Sequence, residues 1–163
     1  MADETLKDYL TGLTALTTID PASDVFFVYD ASAAAMKKIV PNNFLLESFS
    51  FALSDETTDL AAGTALITWR VPYAFTVTAV RASVNTAPTG STIVVDINES
   101  GVSILSTKLS IDATEKTSTT AATPAVISDA SLADDAEITF DIDQVGSTIA
   151  GKGLKVVIIG HRT

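Results

Sequence analysis

From residue 44 onward, apolar and polar residues alternate one for one in stretch after stretch. Phe49, Phe51 and Leu53 alternate with Ser48, Ser50 and Ser54. Ala65, Ile67, Trp69 and Val71 fall on one face, with Leu66, Thr68 and Arg70 on the other. Ile93, Val95 and Ile97 oppose Asp96 and Asn98, while Ile138, Phe140 and Ile142 oppose Glu137, Thr139, Asp141 and Asp143. Successive side chains of a β-strand point to opposite faces. Each stretch therefore predicts a strand with one face in a core and the other in water.

Turn residues punctuate these stretches. Thr86-Ala87-Pro88-Thr89-Gly90-Ser91 separates two strands, Asn98-Glu99-Ser100-Gly101 reads as a tight hairpin, and Gly146-Ser147, Gly151 and Gly153 mark the last loop. Short strands at this spacing, with no amphipathic helix between them, predict an all-β sandwich or barrel over residues 44–163. An eight-stranded jelly roll suits the pattern first and an immunoglobulin-like sandwich second, and the sequence leaves that choice open. The final strand, Gly153 to His161, is apolar on both faces, with Leu154, Val156 and Ile158 against Val157 and Ile159. Such a strand is either central in its sheet or covered by another subunit.

Residues 1–43 have a different character and are expected to form an arm or attachment segment. Leu6, Tyr9, Leu10 and Leu13 fall at i, i+3, i+4 and i+7, the spacing of a short amphipathic helix. A helix this short is marginal in water, so it must dock on something. Val25-Phe26-Phe27-Val28-Tyr29-Asp30 then predicts a strand, Ala31-Ser32-Ala33 a turn, and Met36 to Val40 the returning arm of a hairpin. Pro41-Asn42-Asn43 closes this unit.

Charge narrows the range of partners. The chain carries 10 Lys and Arg against 20 Asp and Glu, a formal net charge of −10. Affinity for a phosphate backbone comes from cations displacing counterions, so nucleic acid and anionic membranes are not expected partners. No apolar stretch is long enough to span a bilayer. The first residues, Met1-Ala2-Asp3-Glu4-Thr5, lack the basic start and apolar run of a secretory signal. Charged residues make up only 18% of the 163 residues and apolar ones 47%. A chain so lean in charge buries much of its surface or shares some of it with partners.

Residues suited to chemistry are sparse. There is no cysteine and one histidine, His161, near the end of the chain. No Gly-x-Ser-x-Gly elbow accompanies it, and zinc would find one nitrogen ligand at most. Asp134-Asp135-Ala136-Glu137 and Asp141-Ile142-Asp143 gather oxygens, but the calcium-loop spacing is missing, and on a strand Asp141 and Asp143 share the wet face. Gly151-Lys152-Gly153 is not a phosphate loop. Trp69, Tyr73 and Phe75, around Pro72, could stack on a sugar; alternation places Trp69 with Ile67 and Val71, which favours core or interface packing. No catalytic residue, cofactor or metal site is expected, and the chain reads as a non-enzyme.

Two stretches carry a resemblance. Leu13 to Leu16 and Val28-Tyr29-Asp30-Ala31-Ser32 through Lys37-Lys38-Ile39 resemble an element near the N-termini of bacteriophage fibre and appendage proteins. Trp69-Arg70-Val71-Pro72-Tyr73-Ala74-Phe75 through Ala82, Thr86 to Ser91, Val94 to Asn98 and Ser103 to Leu109 resemble a β-sandwich module of phage tail fibres, head fibres and decoration proteins. The resemblance implies a structural virion component, a homotrimer, with the N-terminal segment as attachment arm and no catalytic residues. Its preferred form is a capsid decoration (cement) protein bound to the major capsid protein. The alternative is a tail fibre or receptor-binding appendage that joins other tail proteins and touches host glycans. Candidate attachment or oligomer contacts are Leu6, Tyr9, Leu10, Leu13, Phe26, Phe27, Tyr29, Trp69, Val157 and Ile159.

Overall fold

The structure, a computed structural model, describes residues 26–30, 32–39 and 46–163. The chain divides into two compact units between residues 44 and 45. In the first unit, β1 (Phe26–Asp30) and β2 (Ala35–Ile39) form an antiparallel hairpin that pairs Phe26 with Ile39 and Asp30 with Ala35. The helix expected around Leu6 to Leu13 lies outside the described residues.

The second unit is built from eleven strands: β3 (Glu47–Ala52), β4 (Gly63–Arg70), β5 (Phe75–Ser83), β6 (Ile93–Glu99), β7 (Val102–Ser103), β8 (Leu105–Thr107), β9 (Leu109–Ile111), β10 (Val126–Ile127), β11 (Ser131–Leu132), β12 (Glu137–Gln144) and β13 (Lys155–Arg162). One sheet runs β11-β5-β13-β3 and the facing one β4-β12-β6, with both β7 and β9 pairing on β6, while β8 and β10 form a separate two-stranded pair. The pairs are nested: β3 with β13, β4 with β12, β5 with β11, and β6 with β9, every pair antiparallel. Successive pairs alternate between the two sheets. That nesting is the pairing rule of a jelly roll, so the strand order favours the first of the two sandwich topologies.

The alternation seen in the sequence becomes the core. Phe75, Val77, Ala82, Leu132, Val156 and Ile158 from one sheet meet Ile93, Val95, Ile97, Ile138, Phe140 and Ile142 from the other, all buried. Phe51 on β3 and Phe140 on β12 lie with ring centres 4.6 Å apart, which closes the sandwich at its middle. A buried side chain of this size contributes roughly 1.5–3 kcal/mol relative to exposure, so these residues dominate the stability. β13 is central, flanked by β5 and β3; its Val156 and Ile158 are buried in the core, while Val157 and Ile159 are half-buried on the outer face.

Local backbone follows local chemistry. Ser100 and Gly101 both take positive φ (50° and 84°) between β6 and β7. Two such residues make the turn whose twist matches the flanking strands, as the Asn98 to Gly101 run predicted. Ala65 departs from the expected alternation. It has a φ of 49°, the β4–β12 register jumps there, and its side chain is exposed instead of joining Ile67 and Trp69 inside. Its N–H donates to Asp141 Oδ1 at 2.7 Å, so a carboxylate from the neighbouring strand holds the bulge open.

Candidate interaction surface

The outer face of the four-stranded sheet follows from the same register. Val157 on β13 stands between Ser50 of β3 and Arg81 of β5, and Ile159 stands between Ser48 and Ala79. Ser48, Ser50, Ala52, Thr78, Arg81 and Ser83 are exposed, whereas Val157, Ile159 and Ala79 are half-buried. The face is therefore a low relief of small hydroxyl, methyl and branched apolar groups around two aliphatic side chains. Small residues let another surface approach closely, while Arg81 and Lys155 are the charges beside the two aliphatic side chains. His161 lies at one end of this face, half-buried, with Nδ1 3.0 Å from the carbonyl oxygen of Arg162.

The other candidate contacts fall in different places. Trp69 points inward and packs on Phe49 and Phe51, with ring centres 4.7 and 5.1 Å apart, so most of its contact surface serves the sandwich itself. Phe26, Phe27 and Tyr29 fall on β1, in register with Ile39, Lys38 and Met36. Leu6, Tyr9, Leu10 and Leu13 lie outside the described residues. Tyr73, beside Trp69 in the sequence, belongs to a clasp on the last strand. Its hydroxyl donates to Glu47, Arg162 Nε donates to the other oxygen of Glu47 at 2.8 Å, and the guanidinium lies 3.6 Å above the Tyr73 ring centre. The hydrogen bond to Glu47, and burial after it, hold the Tyr73 phenol above its ordinary pKa.

The second sheet carries a polar cluster that the alternation placed in water. Asp96 and Asn98 do point away from the core, yet they are only 5% and 8% exposed. The chain after β6 folds back over them. Ser103 donates to Asp96 Oδ1 at 2.5 Å, and Lys108 Nζ lies 2.9 Å from Asp96 Oδ2 and 2.5 Å from Asp143 Oδ2. Asn98 donates to Asp141 Oδ2 at 3.0 Å. The carboxylates of Asp143 first, then Asp96, hold the Lys108 ammonium well above the usual lysine range. A charge so firmly kept makes Lys108 a fixed cation and a poor nucleophile. Among the described residues no group of three or more acidic or histidine side chains is arranged to hold a metal ion.

A cleft of about 590 Å³ opens at the far edge of β5. Thr78–Arg81 form one bank and Pro124–Ile127 the other, with Leu109 and Ser118 between. Sequence reading missed it because its two banks are more than forty residues apart, and nothing in either stretch marks a gap in pairing. Compared with known protein families, with curated proteins and with solved structures, the chain matches none.

Proposed function

We propose that this protein is a structural component of a bacteriophage particle, a head decoration protein that ties neighbouring capsid subunits together as a homotrimer. The observation that carries the reading is the outer face around Val157 and Ile159, where small neutral side chains surround two aliphatic ones and Arg81 and Lys155 are the neighbouring charges. It presents small side chains over three adjacent strands on a chain whose overall charge is −10. The resemblance of the stretches around Tyr29 to Ile39 and Trp69 to Leu109 to phage appendage and decoration modules supports the same reading. The work done is mechanical. Covering such a face removes apolar area from water at roughly 25 cal/mol per Å², against the ordering cost of association. The acidic remainder keeps the outward side soluble and discourages non-specific clumping.

Quantifying this chain in purified particles by calibrated gel or mass spectrometry tests the proposal. Hundreds of copies per particle, lost together with the heat resistance of the head, is the expected result. A few dozen copies or fewer, on particles whose heads keep their stability without the protein, would move it to the tail. Absence from particles would end the virion reading.

A further inference from the structure

Among the described residues, no strand pairs with the outer edge of β5 along part of its length. β11 pairs with Phe75 and Thr76 only, and pairing on that side resumes at Ser83, which bridges Thr117. At the two ends of the gap the donors are taken: Val77 N–H by the carbonyl of Ala130 at 2.8 Å, and Ala82 N–H by Ser118 Oγ at 2.8 Å. Alternate residues of a strand address alternate sides, so Val80 sends its N–H and C=O the same way as Ala82. No strand among the described residues pairs with it there. The gap coincides with the cleft, whose apolar lining comes from Leu109, Ala125, Val126 and Ile127. At its rim stands Arg81, exposed and without an ion pair among the described residues.

We infer that this cleft is a strand-addition site, which takes an extended polypeptide segment bearing a carboxylate from a partner protein. The segment lies antiparallel to Thr78–Arg81 and exchanges backbone hydrogen bonds with Val80. It turns alternate apolar side chains onto Leu109 and Ile127 and sets an acidic side chain against Arg81. Three features point to a peptide rather than another ligand. The groups left unpaired among the described residues are backbone groups in the plane of a sheet, the apolar part of the lining is aliphatic, and the volume lies in the range of built binding sites, about 300–1,000 Å³. The net charge of −10 does not oppose an acidic segment, because in physiological salt charges more than about 8 Å away are largely screened and Arg81 is at hand. The cleft shares Thr78, Ala79 and Arg81 with the outer face, but the inference does not depend on the virion reading.

The test is titration of the isotopically labelled full chain with acetyl-Val-Asp-Val-Thr-Val-amide, followed by the amide signals of residues 76–84. Saturable shifts centred on Val80, with slowed hydrogen exchange at that amide, are expected. Methylating the peptide nitrogens that face β5 should weaken binding about tenfold, and so should Arg81→Glu, a lost charge-assisted hydrogen bond being the cause. Arg81→Glu should also reverse the preference toward the peptide with Lys in place of Asp. Three outcomes would overturn the inference. One is equal binding of the methylated peptide. Another is a Val80 amide that exchanges as slowly as the core without peptide, which would mean that the chain fills its own cleft. The last is protection that appears only as protein concentration rises, which would assign the edge to a second copy.

Discussion

Asp96 on β6 and Asp141 on β12 stand directly opposite each other across the ladder, two carboxylates in register on one face of the sheet. Like charges so placed repel, and the fold answers with separate partners. Asp96 receives Lys108, Ser103 and the N–H of Ile97, while Asp141 receives Asn98 and the N–H of Ala65. The cluster fastens the chain after β6 and the bulge in β4 to the same sheet.

Lys108→Met therefore removes the one cation among these partners and leaves a nearly buried carboxylate short of a donor. Destabilisation of roughly 1–3 kcal/mol is expected, below the figure for a fully buried pair because Lys108 is about half exposed. Adding Asp96→Asn should recover part of it. Urea unfolding of the single and double variants checks this; a single variant within 0.5 kcal/mol or so of the parent would show the cluster to be idle.

Gly160 sits where β13 meets the bulge in β5, and a methyl group there would come within 2.0 Å of the Thr76 carbonyl oxygen and 2.6 Å of the Phe75 ring. Backbone cannot yield as a surface side chain does. Gly160→Ala should lower stability by about 3 kcal/mol or more, at the high end of overpacking. A thermal midpoint within a degree or two of the parent would contradict the register given for these two strands.

The loop after β3 responds to acid. Asp55 accepts from the backbone N–H groups of Thr58 and Thr57 at 2.7 and 2.6 Å and from the Thr57 hydroxyl at 3.0 Å. The N–H of Thr58 above all, then its hydroxyl and the corresponding groups of Thr57, hold the Asp55 pKa far below the ordinary carboxylate range. A depressed folded-state value means the unfolded chain binds the proton first. The loop's contribution is then full above the unfolded value, near 4, and fades as pH falls toward the folded one. Asp55→Asn should lower stability at neutral and alkaline pH, where the ionised carboxylate contributes fully, and flatten the acid side below about pH 4 so that variant and parent converge. An unchanged acid slope would argue against the turn.

Val157→Glu with Ile159→Glu places two charges on the outer face without touching the core, which is formed on that strand by Val156 and Ile158. Sedimentation should report loss of self-association, with a thermal midpoint for the isolated chain within a few degrees of the parent. An oligomer that survives both substitutions would relocate the subunit contact.

Much of the sandwich could be read in advance because its strands obey a local rule. Ile138, Phe140 and Ile142 are buried as their spacing required, and Ser100-Gly101 turns as its composition required. Residues whose environment is set by distant chain segments escaped that rule. Asp96 looked like a solvated residue until Ser103 and Lys108 closed over it, and Ala65 looked like core until Asp141 drew its N–H outward. The candidate surface divides in the same way. Val157 and Ile159 could be picked out as a second apolar stripe, whereas the open edge at Val80 depends on how far β11 extends along β5, which no local pattern encodes.

β13, which completes the four-stranded sheet, is made after every strand it shares that sheet with. Among the described residues β3 and β5 are joined only through β13, and until residues 155–162 are made each lacks that neighbour. Pairings between segments a hundred residues apart are slow to form, and unpaired edges invite association with other nascent chains. A chain interrupted anywhere before Lys155 thus keeps both edges bare, so the yield of folded protein rests on synthesis running through residues 155–162.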